Sequence, residues 1–278
     1  MKHGFVKVMA GIPEIRVADC VYNTKNIAAC MREADASGVE LLVLPELCVT
    51  GYTCGDLFQQ KTLLHAVQES IAALLSVSEQ LSLLTLVGAP FLWEGKLYNC
   101  AFVIQKGVLL GIVPKTHLPN YSEFYEARHF TAAPSCVSEI LFCGMTCPFG
   151  TDILFCAQDE PEFTFAVEIC EDLWTPNPPS ARHALAGATL IANLSAGDEV
   201  VGKAQYRREL VRSQSARLIC GYLYADAGIG ESTTDMVFSG HSLIAENGVL
   251  LAENRLFSMD APEAEIDLTR LVHDRMRM

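Results

Sequence analysis

Strand-like and helix-like hydrophobic patterns alternate along most of this chain, and this alternation restricts the possible folds more than any other feature. Continuous apolar runs, such as residues 39–44, are typical of buried strands. Between them lie segments in which apolar residues recur every three or four positions, as Ile27, Met31 and Ala34 do before Gly38. Because strands that alternate with helices build layered structures, the sequence predicts a mixed α/β fold.

The predicted strands share apolar runs that end at turn-forming residues. They cover residues 5–12, 39–44, 83–89, 98–105, 108–113, 164–169, 189–194 and 220–225, with an edge strand at 264–268. Helices are predicted at 63–81, 181–186 and 202–218, and an earlier one is expected to be capped by Asn23 or Thr24. Asn247-Gly248 predicts a two-residue hairpin. Since no linker, repeat or change of composition interrupts the pattern, we expect one domain over residues 1–278.

Composition and charge exclude several classes of protein. The chain has 33 acidic and 20 basic residues, a net charge of −13, and this charge repels nucleic acid and anionic membranes. The longest apolar run, residues 81–93, is shorter than the roughly 18 residues that span a membrane. Lys7 and Glu14 interrupt any signal-like segment. We therefore expect a cytoplasmic protein with reduced cysteines and no nucleic-acid or membrane partner.

Three ionisable side chains stand directly after predicted strands. Glu46 follows the run 39–44 and Pro45, Lys115 follows 108–113 and Pro114, and Cys170 follows 164–169. Because polar groups at the strand ends of an α/β sheet converge on one edge, these three side chains are expected to meet. Each of them also has a simpler interpretation, as a core thiol or as a surface charge.

Together, the three residues have the chemistry needed to hydrolyse an amide through a thioester. Glu46 would take the proton of the Cys170 thiol, return it to the departing ammonia and then activate water. Lys115 and the backbone N–H of Glu171 would stabilise the oxyanion. Lys115 would lower the pKa of the thiol and Glu46 would raise it, so the sequence leaves both resting forms open.

Longer motifs surround each of these residues. They are Leu44-Pro45-Glu46-Leu47 with Thr50-Gly51-Tyr52, Pro114-Lys115-Thr116-His117-Leu118-Pro119-Asn120-Tyr121 with Glu123-Phe124-Tyr125-Glu126, Glu168-Ile169-Cys170-Glu171-Asp172-Leu173-Trp174, Asn193-Leu194-Ser195-Ala196, Gly202-Lys203 and Tyr206-Arg207-Arg208. The first three resemble the signatures of the nitrilase, or carbon–nitrogen hydrolase, superfamily. The whole set resembles the glutaminase domain of glutamine-dependent NAD+ synthetases.

This resemblance implies a four-layer αββα sandwich with Glu46, Lys115 and Cys170 as its catalytic triad. It further implies that Tyr121 and Lys203 contact the substrate L-glutamine and that Glu171 lies beside it. Tyr52 either lines the substrate pocket or simply packs after the Thr-Gly turn. A second carboxylate near the triad is common in the superfamily, and the sequence does not decide between Glu123 and Glu126.

One position departs from the family pattern. The family usually has a serine where this chain has Gly197, so a hydroxyl contact to the substrate is lost and only the backbone remains to serve. This departure puts glutamine affinity in question more than the chemistry. It favours an alternative function, that of a stand-alone amidase acting on another small amide. A third hypothesis is a catalytically idle module that supplies only oligomer contacts, although such a module has no need for an intact triad.

The resemblance also bears on partners and cofactors. It runs through essentially the whole chain, which ends about where the ATP-binding synthetase domain of such enzymes begins. It therefore implies the ammonia-producing half of the enzyme, with ATP and Mg2+ expected only on the absent synthetase domain and no cofactor in this one. Homo-oligomers are expected, since the superfamily usually assembles through dimers. No metal site is expected, because the pairs Cys48 and Cys54, and Cys143 and Cys147, lack zinc-ligand spacing and companion histidines.

Overall fold

Two β-sheets stacked face to face form the centre of the protein. A computed structural model describes residues 3–277. In these residues the strands are β1 (Phe5–Ala10), β2 (Leu41–Val43), β3 (Leu84–Trp93), β4 (Lys96–Gln105), β5 (Val108–Pro114), β6 (Ser138–Phe142), β7 (Met145–Phe149), β8 (Phe155–Cys156), β9 (Thr164–Ile169), β10 (Leu190–Ser195), β11 (Gly221–Asp226), β12 (Leu243–Glu246), β13 (Val249–Glu253) and β14 (Glu263–Asp267).

Helices cover the outer faces of the two sheets. They are α1 (Cys20–Ala36), α2 (Lys61–Ser78), α3 (Glu171–Trp174), α4 (Pro179–Leu185), α5 (Lys203–Leu218) and α6 (Leu268–Met276), and 3-10 turns occupy Tyr52–Gln59 and Glu126–Arg128. None of the helices in the described part of the chain is long and apolar enough to cross a bilayer.

Alternation along the strands gives each sheet an inner and an outer face. In β2, Leu41 and Val43 join the core between the sheets, whereas Leu42 packs in the cluster that contains α1 and α2. In β9, Val167 points into the same central core and Ala166 packs in the cluster that contains α5. The layers are therefore helix, sheet, sheet, helix, which confirms the predicted αββα sandwich.

Strand direction brings several strand ends to one edge of the sandwich. The larger sheet has the order β14-β1-β2-β3-β4-β5-β7-β6, and the smaller one has the order β13-β12-β11-β10-β9-β8. β2 runs parallel to β1 and β3, and β10 runs parallel to β9 and β11. At this edge the backbone N–H of Glu46 donates to the carbonyl of Ser195 across 3.2 Å. The segment after β2 is thereby joined to the end of β10 in the other sheet.

Most of the predicted elements are confirmed, with ends that shift by a few residues. Asn247 and Gly248 adopt φ angles of 43° and 84° and connect β12 to β13, as their hairpin signature predicts. The predicted edge strand is β14, which pairs antiparallel with β1. The strands β6 to β8 and the helix α6 were not predicted, because they are short and mix polar with apolar residues.

The predicted cap of the first helix is wrong. The helix begins at Cys20, and the carboxylate of Asp19 accepts a hydrogen bond of 3.0 Å from the backbone N–H of Tyr22. Asn23 is instead buried inside α1, where its side chain bonds the backbone of Arg16 and Val49. Its role is to fasten the loop before the helix, which a capping pattern does not reveal.

Gly88 in β3 allows the segment that carries Glu46 to approach the sheet. A β-carbon at position 88 would lie 2.4 Å from both the backbone nitrogen of Leu47 and the carbonyl oxygen of Pro45. These are backbone atoms, so no side-chain rotation would relieve the contact. The absence of a side chain at Gly88 is therefore a condition for the position of Glu46.

We expect Gly88→Ala to lower the free energy of unfolding by about 1–3 kcal/mol, since overpacking of a core has that typical effect. Thermal unfolding measures the change. Gly111→Ala is the matched control, because its added methyl group would meet the ring of Phe155 at 3.1 Å and an aromatic side chain can shift. A Gly88→Ala variant that unfolds at the wild-type temperature would contradict this account of the close approach.

Candidate active site

A buried lysine binds two carboxylates at the edge where β2 and β5 end. The Nζ atom of Lys115 donates to Oε1 of Glu46 and to Oε1 of Glu126, each across 2.6 Å. The Nδ2 atom of Asn99 donates to the same Oε1 of Glu46, also across 2.6 Å. All of these side chains are buried. The other oxygen of each carboxylate has no hydrogen-bond partner within residues 3–277, so it remains available to a substrate or to water.

The electrostatics of this cluster keep the lysine charged. Burial lowers the pKa of Lys115, but the neighbouring Glu126 and Glu46 together raise it by more than burial lowers it. Its pKa therefore lies well above the ordinary value. Burial raises the pKa of Glu126 to about 7, although the charge of Lys115 opposes that shift. The lysine therefore stays charged beside two acidic groups.

Cys170 lies on a sharp turn between β9 and α3. Its φ and ψ angles are 44° and −99°, a conformation that residues with a side chain rarely adopt. The turn is held because the backbone N–H of Cys170 donates to the carbonyl of Leu194 (2.9 Å) and to Oδ1 of Asn193 (3.0 Å). This strained conformation places the thiol at the single residue between the end of the strand and the start of the helix.

The structure favours one of the two resting forms of the nucleophile. Burial raises the pKa of the Cys170 thiol, the charge of Glu46 raises it further, and Lys115 only partly opposes these effects. The pKa lies well above the ordinary value, so the resting group is the neutral thiol. A base must then remove the proton during the reaction.

Asp172 connects the turn after Cys170 to the loop after Lys115. Its carboxylate accepts hydrogen bonds from the backbone N–H groups of Ile169 (2.9 Å) and His117 (2.8 Å). Asp172, Asn99 and Asn193 were not predicted as parts of the site. They occur within the quoted motifs or in an unremarkable strand, and only their contacts show what they do.

The second carboxylate, which the sequence left open, is Glu126 and not Glu123. Glu126 contacts Lys115, and it also accepts a hydrogen bond of 2.8 Å from the hydroxyl of Tyr52. The hydroxyl of Tyr52 is thus directed at this carboxylate. Beside it lies a cleft of about 220 Å³, lined by residues that include Tyr52, Glu123, Phe124 and Glu126.

The other predicted substrate-binding residues include the exposed Tyr121 and the half-buried Glu171 and Lys203, which form the entrance to the buried site. The hydroxyl of Tyr121 donates to Oε2 of Glu171 across 2.9 Å. Lys203 forms an ion pair with Asp198. The backbone N–H of Gly197 donates to Oδ1 of Asp226 across 2.7 Å. The predicted role of the Gly197 backbone is therefore restricted, because its only hydrogen-bond donor is already engaged.

No group of three histidine, cysteine, aspartate or glutamate side chains that could hold a metal ion occurs within the described residues.

Comparison with known proteins places these features in a family context. The family model for carbon-nitrogen hydrolases matches residues 9–275. A glutamine-dependent NAD(+) synthetase from Mycobacterium tuberculosis (strain ATCC 25618 / H37Rv) is 43% identical over 279 residues, which cover 100% of this chain and 41% of the relative. The enzyme of that name from Rattus norvegicus is 32% identical over 260 residues, which cover 88% of this chain and 35% of the relative. The chain thus spans about two fifths of the first of these curated relatives.

Solved structures agree with these sequence similarities. A glutamine-dependent NAD(+) synthetase from Cytophaga hutchinsonii is similar with a TM-score of 0.83 at 31% identity, covering 94% of this chain and 43% of that chain. An amidase from Nesterenkonia sp. has a TM-score of 0.72 at 17% identity and covers 99% of this chain and 97% of that one. The second similarity shows the fold alone. Together the comparisons confirm the resemblance predicted from the motifs.

The charge of Glu126 is expected to control the reactivity of Cys170. An ionised Glu126 raises the pKa of the thiol, so Glu126→Gln should move the pH profile of Cys170 alkylation toward lower pH. The rate of alkylation by iodoacetamide, followed at Cys170 by peptide mass spectrometry between pH 6 and 10, measures this shift. Glu123→Gln is the matched control, for which we expect the wild-type profile. Superimposable profiles of wild type and Glu126→Gln would exclude this control by Glu126.

Proposed function

Because the chain belongs to the carbon–nitrogen hydrolase family, we propose that it hydrolyses the side-chain amide of L-glutamine and releases ammonia. The observation that carries the proposal is Lys115, which is held between the buried carboxylates of Glu46 and Glu126 beside the thiol of Cys170. The choice of glutamine is supported by relatives that are glutamine-dependent NAD(+) synthetases.

The first half of the reaction forms a thioester. Glu46 takes the proton of the Cys170 thiol while the sulfur attacks the amide carbon, and a tetrahedral oxyanion results. Lys115 has three N–H donors, of which two are bonded to carboxylates, so the third is available to the oxyanion. The backbone N–H of Glu171 is the second donor we assign to it. The carbon–nitrogen bond then breaks, and Glu46 returns its proton to the leaving ammonia.

The second half releases glutamate. Glu46 takes a proton from a water molecule, whose oxygen attacks the thioester carbon, and a second tetrahedral oxyanion is stabilised by the same donors. When the carbon–sulfur bond breaks, the proton held by Glu46 returns to the sulfur, and the thiol is restored. Glu126 moves no proton in this scheme. It binds Lys115 together with Glu46 and itself accepts a hydrogen bond from Tyr52.

We further propose that the ammonia serves an ATP-dependent synthetase domain that converts deamido-NAD+ to NAD+. Support comes from the curated relatives, of whose length this chain spans about two fifths. On this view residues 1–278 act as one glutaminase domain in a cytoplasmic homo-oligomer, L-glutamine and the synthetase domain are its partners, and ATP and Mg2+ belong to that other domain.

A second candidate function is supported by Gly197. Position 197 offers no side chain, and its N–H group is engaged by Asp226. A substrate other than glutamine would not need the missing hydroxyl contact. This observation supports a stand-alone amidase that acts on another small amide. An idle module is less well supported, because it has no use for a buried lysine between two carboxylates.

The three central residues should differ in the effect of their removal. We expect Cys170→Ala to abolish ammonia release from glutamine, and both Glu46→Gln and Lys115→Met to lower kcat by roughly 10²-fold or more. A coupled ammonia assay measures the rates, with circular dichroism as the control for folding. If a folded variant at any of the three positions kept near-normal activity, the role assigned to that residue would be wrong.

Labelling distinguishes the two candidate functions. The protein is exposed to an electrophilic glutamine analogue, with glutamine or asparagine as competitor, and each of its 11 cysteines is followed by peptide mass spectrometry. A single adduct on Cys170 that glutamine but not asparagine prevents supports the glutaminase. An adduct on Cys170 that glutamine does not prevent supports the other amidase, and the absence of any adduct there contradicts both.

A further inference from the structure

Two pairs of polar side chains lie at the entrance to the site. One is Tyr121 with Glu171, and the other is Asp198 with Lys203. The ring of Phe124 joins them, since its centroid lies 5.9 Å from that of Tyr121 and 5.7 Å from the Nζ atom of Lys203.

The same entrance is adjacent to the nucleophile. The Nζ atom of Lys203 lies 5.3 Å from the ring centroid of Trp174, which ends the short helix that follows Cys170. The pKa of the Tyr121 phenol is raised by burial, by the hydrogen bond to Glu171, and by the charges of Asp198 and, once it is ionised, Cys170. Asp198 and the thiol therefore act on one common group. Glu171 directly follows Cys170 in the chain and Lys203 lies beside Trp174, so both pairs lie close to the turn that carries the nucleophile.

The chain lacks a polar side chain at position 197, where the family pattern described above has a serine. Gly197 provides neither a hydroxyl nor a free N–H, because Asp226 accepts its backbone hydrogen bond. The next residue, Asp198, places a carboxylate with 4% side-chain exposure beside Lys203. The polar group that this segment offers to a substrate is thus an anion in place of a neutral hydroxyl.

Asp198 is held firmly by the structure behind it. Its carbonyl accepts a hydrogen bond of 3.2 Å from Nη2 of the fully buried Arg207, and its backbone forms a β-bridge with Phe238. Arg207 also binds Glu199 across 3.0 Å. The backbone on both sides of the carboxylate is therefore fixed before any substrate arrives, which lowers the entropic penalty of binding.

The charges at the entrance suggest which substrates fit it. Glu171 and Asp198 supply two carboxylates and Lys203 supplies one ammonium group, so a bound carboxylate alone would face more negative than positive charge. Resting on the proposed glutaminase function, we propose that Asp198 selects substrates with a free α-ammonium group, which it binds while Lys203 binds the α-carboxylate. The substrate class is then the amide of an α-amino acid, and simple anionic or neutral amides are rejected.

When an amide carries a carboxylate but no ammonium group, its carboxylate competes with Asp198 for Lys203. A hydrogen bond to a charged group typically contributes about 1.5–3 kcal/mol, which corresponds to roughly 10–100-fold in kcat/KM. Removal of the charge at position 198 should lower the rate with glutamine and at the same time relieve the repulsion of the anionic amide.

The test compares glutamine with 4-carbamoylbutanoate, which is glutamine without its ammonium group. For Asp198→Asn we expect kcat/KM with glutamine to fall by about 10-fold or more through KM, and kcat/KM with 4-carbamoylbutanoate to rise or stay constant. The selectivity ratio should therefore fall. Alkylation of Cys170 by iodoacetamide, which has no α-amino-acid head group, should keep the wild-type rate. Asp274→Asn is the matched control, since Asp274 is paired with Arg270 on α6, and we expect it to leave the ratio unchanged.

The outcomes separate this inference from the proposed function. If the wild type hydrolyses glutamine but Asp198→Asn keeps the selectivity ratio, the inference is overturned and the glutaminase stands. An Asp198→Asn variant that prefers glutamine more strongly than the wild type also overturns it, because Asp198 then only competes for Lys203. If the wild type prefers another α-amino-acid amide to glutamine, and Asp198→Asn loses that preference, the inference stands and the glutaminase is overturned.

Discussion

The site depends on a positive charge that is buried in the protein interior. A buried ammonium group is tolerated only where nearby anions and hydrogen bonds replace the water it has lost. Lys115 meets this requirement with two carboxylates, Glu46 from the segment after β2 and Glu126 from the loop after β5 itself. Removal of either carboxylate would leave one N–H donor of the buried lysine without its partner. The ends of these strands must therefore meet, and the close approach at Gly88 and the bond from Glu46 to Ser195 are parts of that requirement.

Strain and hydrogen bonding are combined at the nucleophile. Cys170 adopts a rare backbone conformation, which typically costs about 1–3 kcal/mol, and such a turn persists only when its surroundings determine it fully. Asn193 binds its backbone N–H from one side, and Asp172 binds the preceding residue from the other. Since Asp172 also holds the loop after Lys115, a movement of the cation would be transmitted to the turn that carries the thiol. The two functional groups are thus positioned as one unit.

The sequence was sufficient to predict which strand ends meet, but not which side chains complete the site. Glu46, Lys115 and Cys170 each follow a clear apolar run, and the position of a residue at a strand end is a local property. The contact between Asn99 and Glu46 depends on the pairing of β4 with two neighbours, which no local pattern encodes. The choice of Glu126 over Glu123 depends on a short 3-10 turn that directs one of two nearby carboxylates inward. Asp19 capped α1 where Asn23 or Thr24 was expected, because Asn23 is used to bind a loop.

The two lysines of the site show how burial separates chemistry from recognition. Lys115 has no exposed side-chain surface, and two of its three donors are committed to carboxylates, so only one short, directed hydrogen bond remains for a developing oxyanion. Lys203 has 18% side-chain exposure and, among the residues that the structure describes, is ion-paired with Asp198 alone, so a substrate can share its charge without displacing a catalytic group. A lysine of the first kind acts mainly on the transition state, whereas one of the second kind acts equally on bound substrate and transition state. Substitutions near Lys203 should therefore appear in KM, and those near Lys115 in kcat.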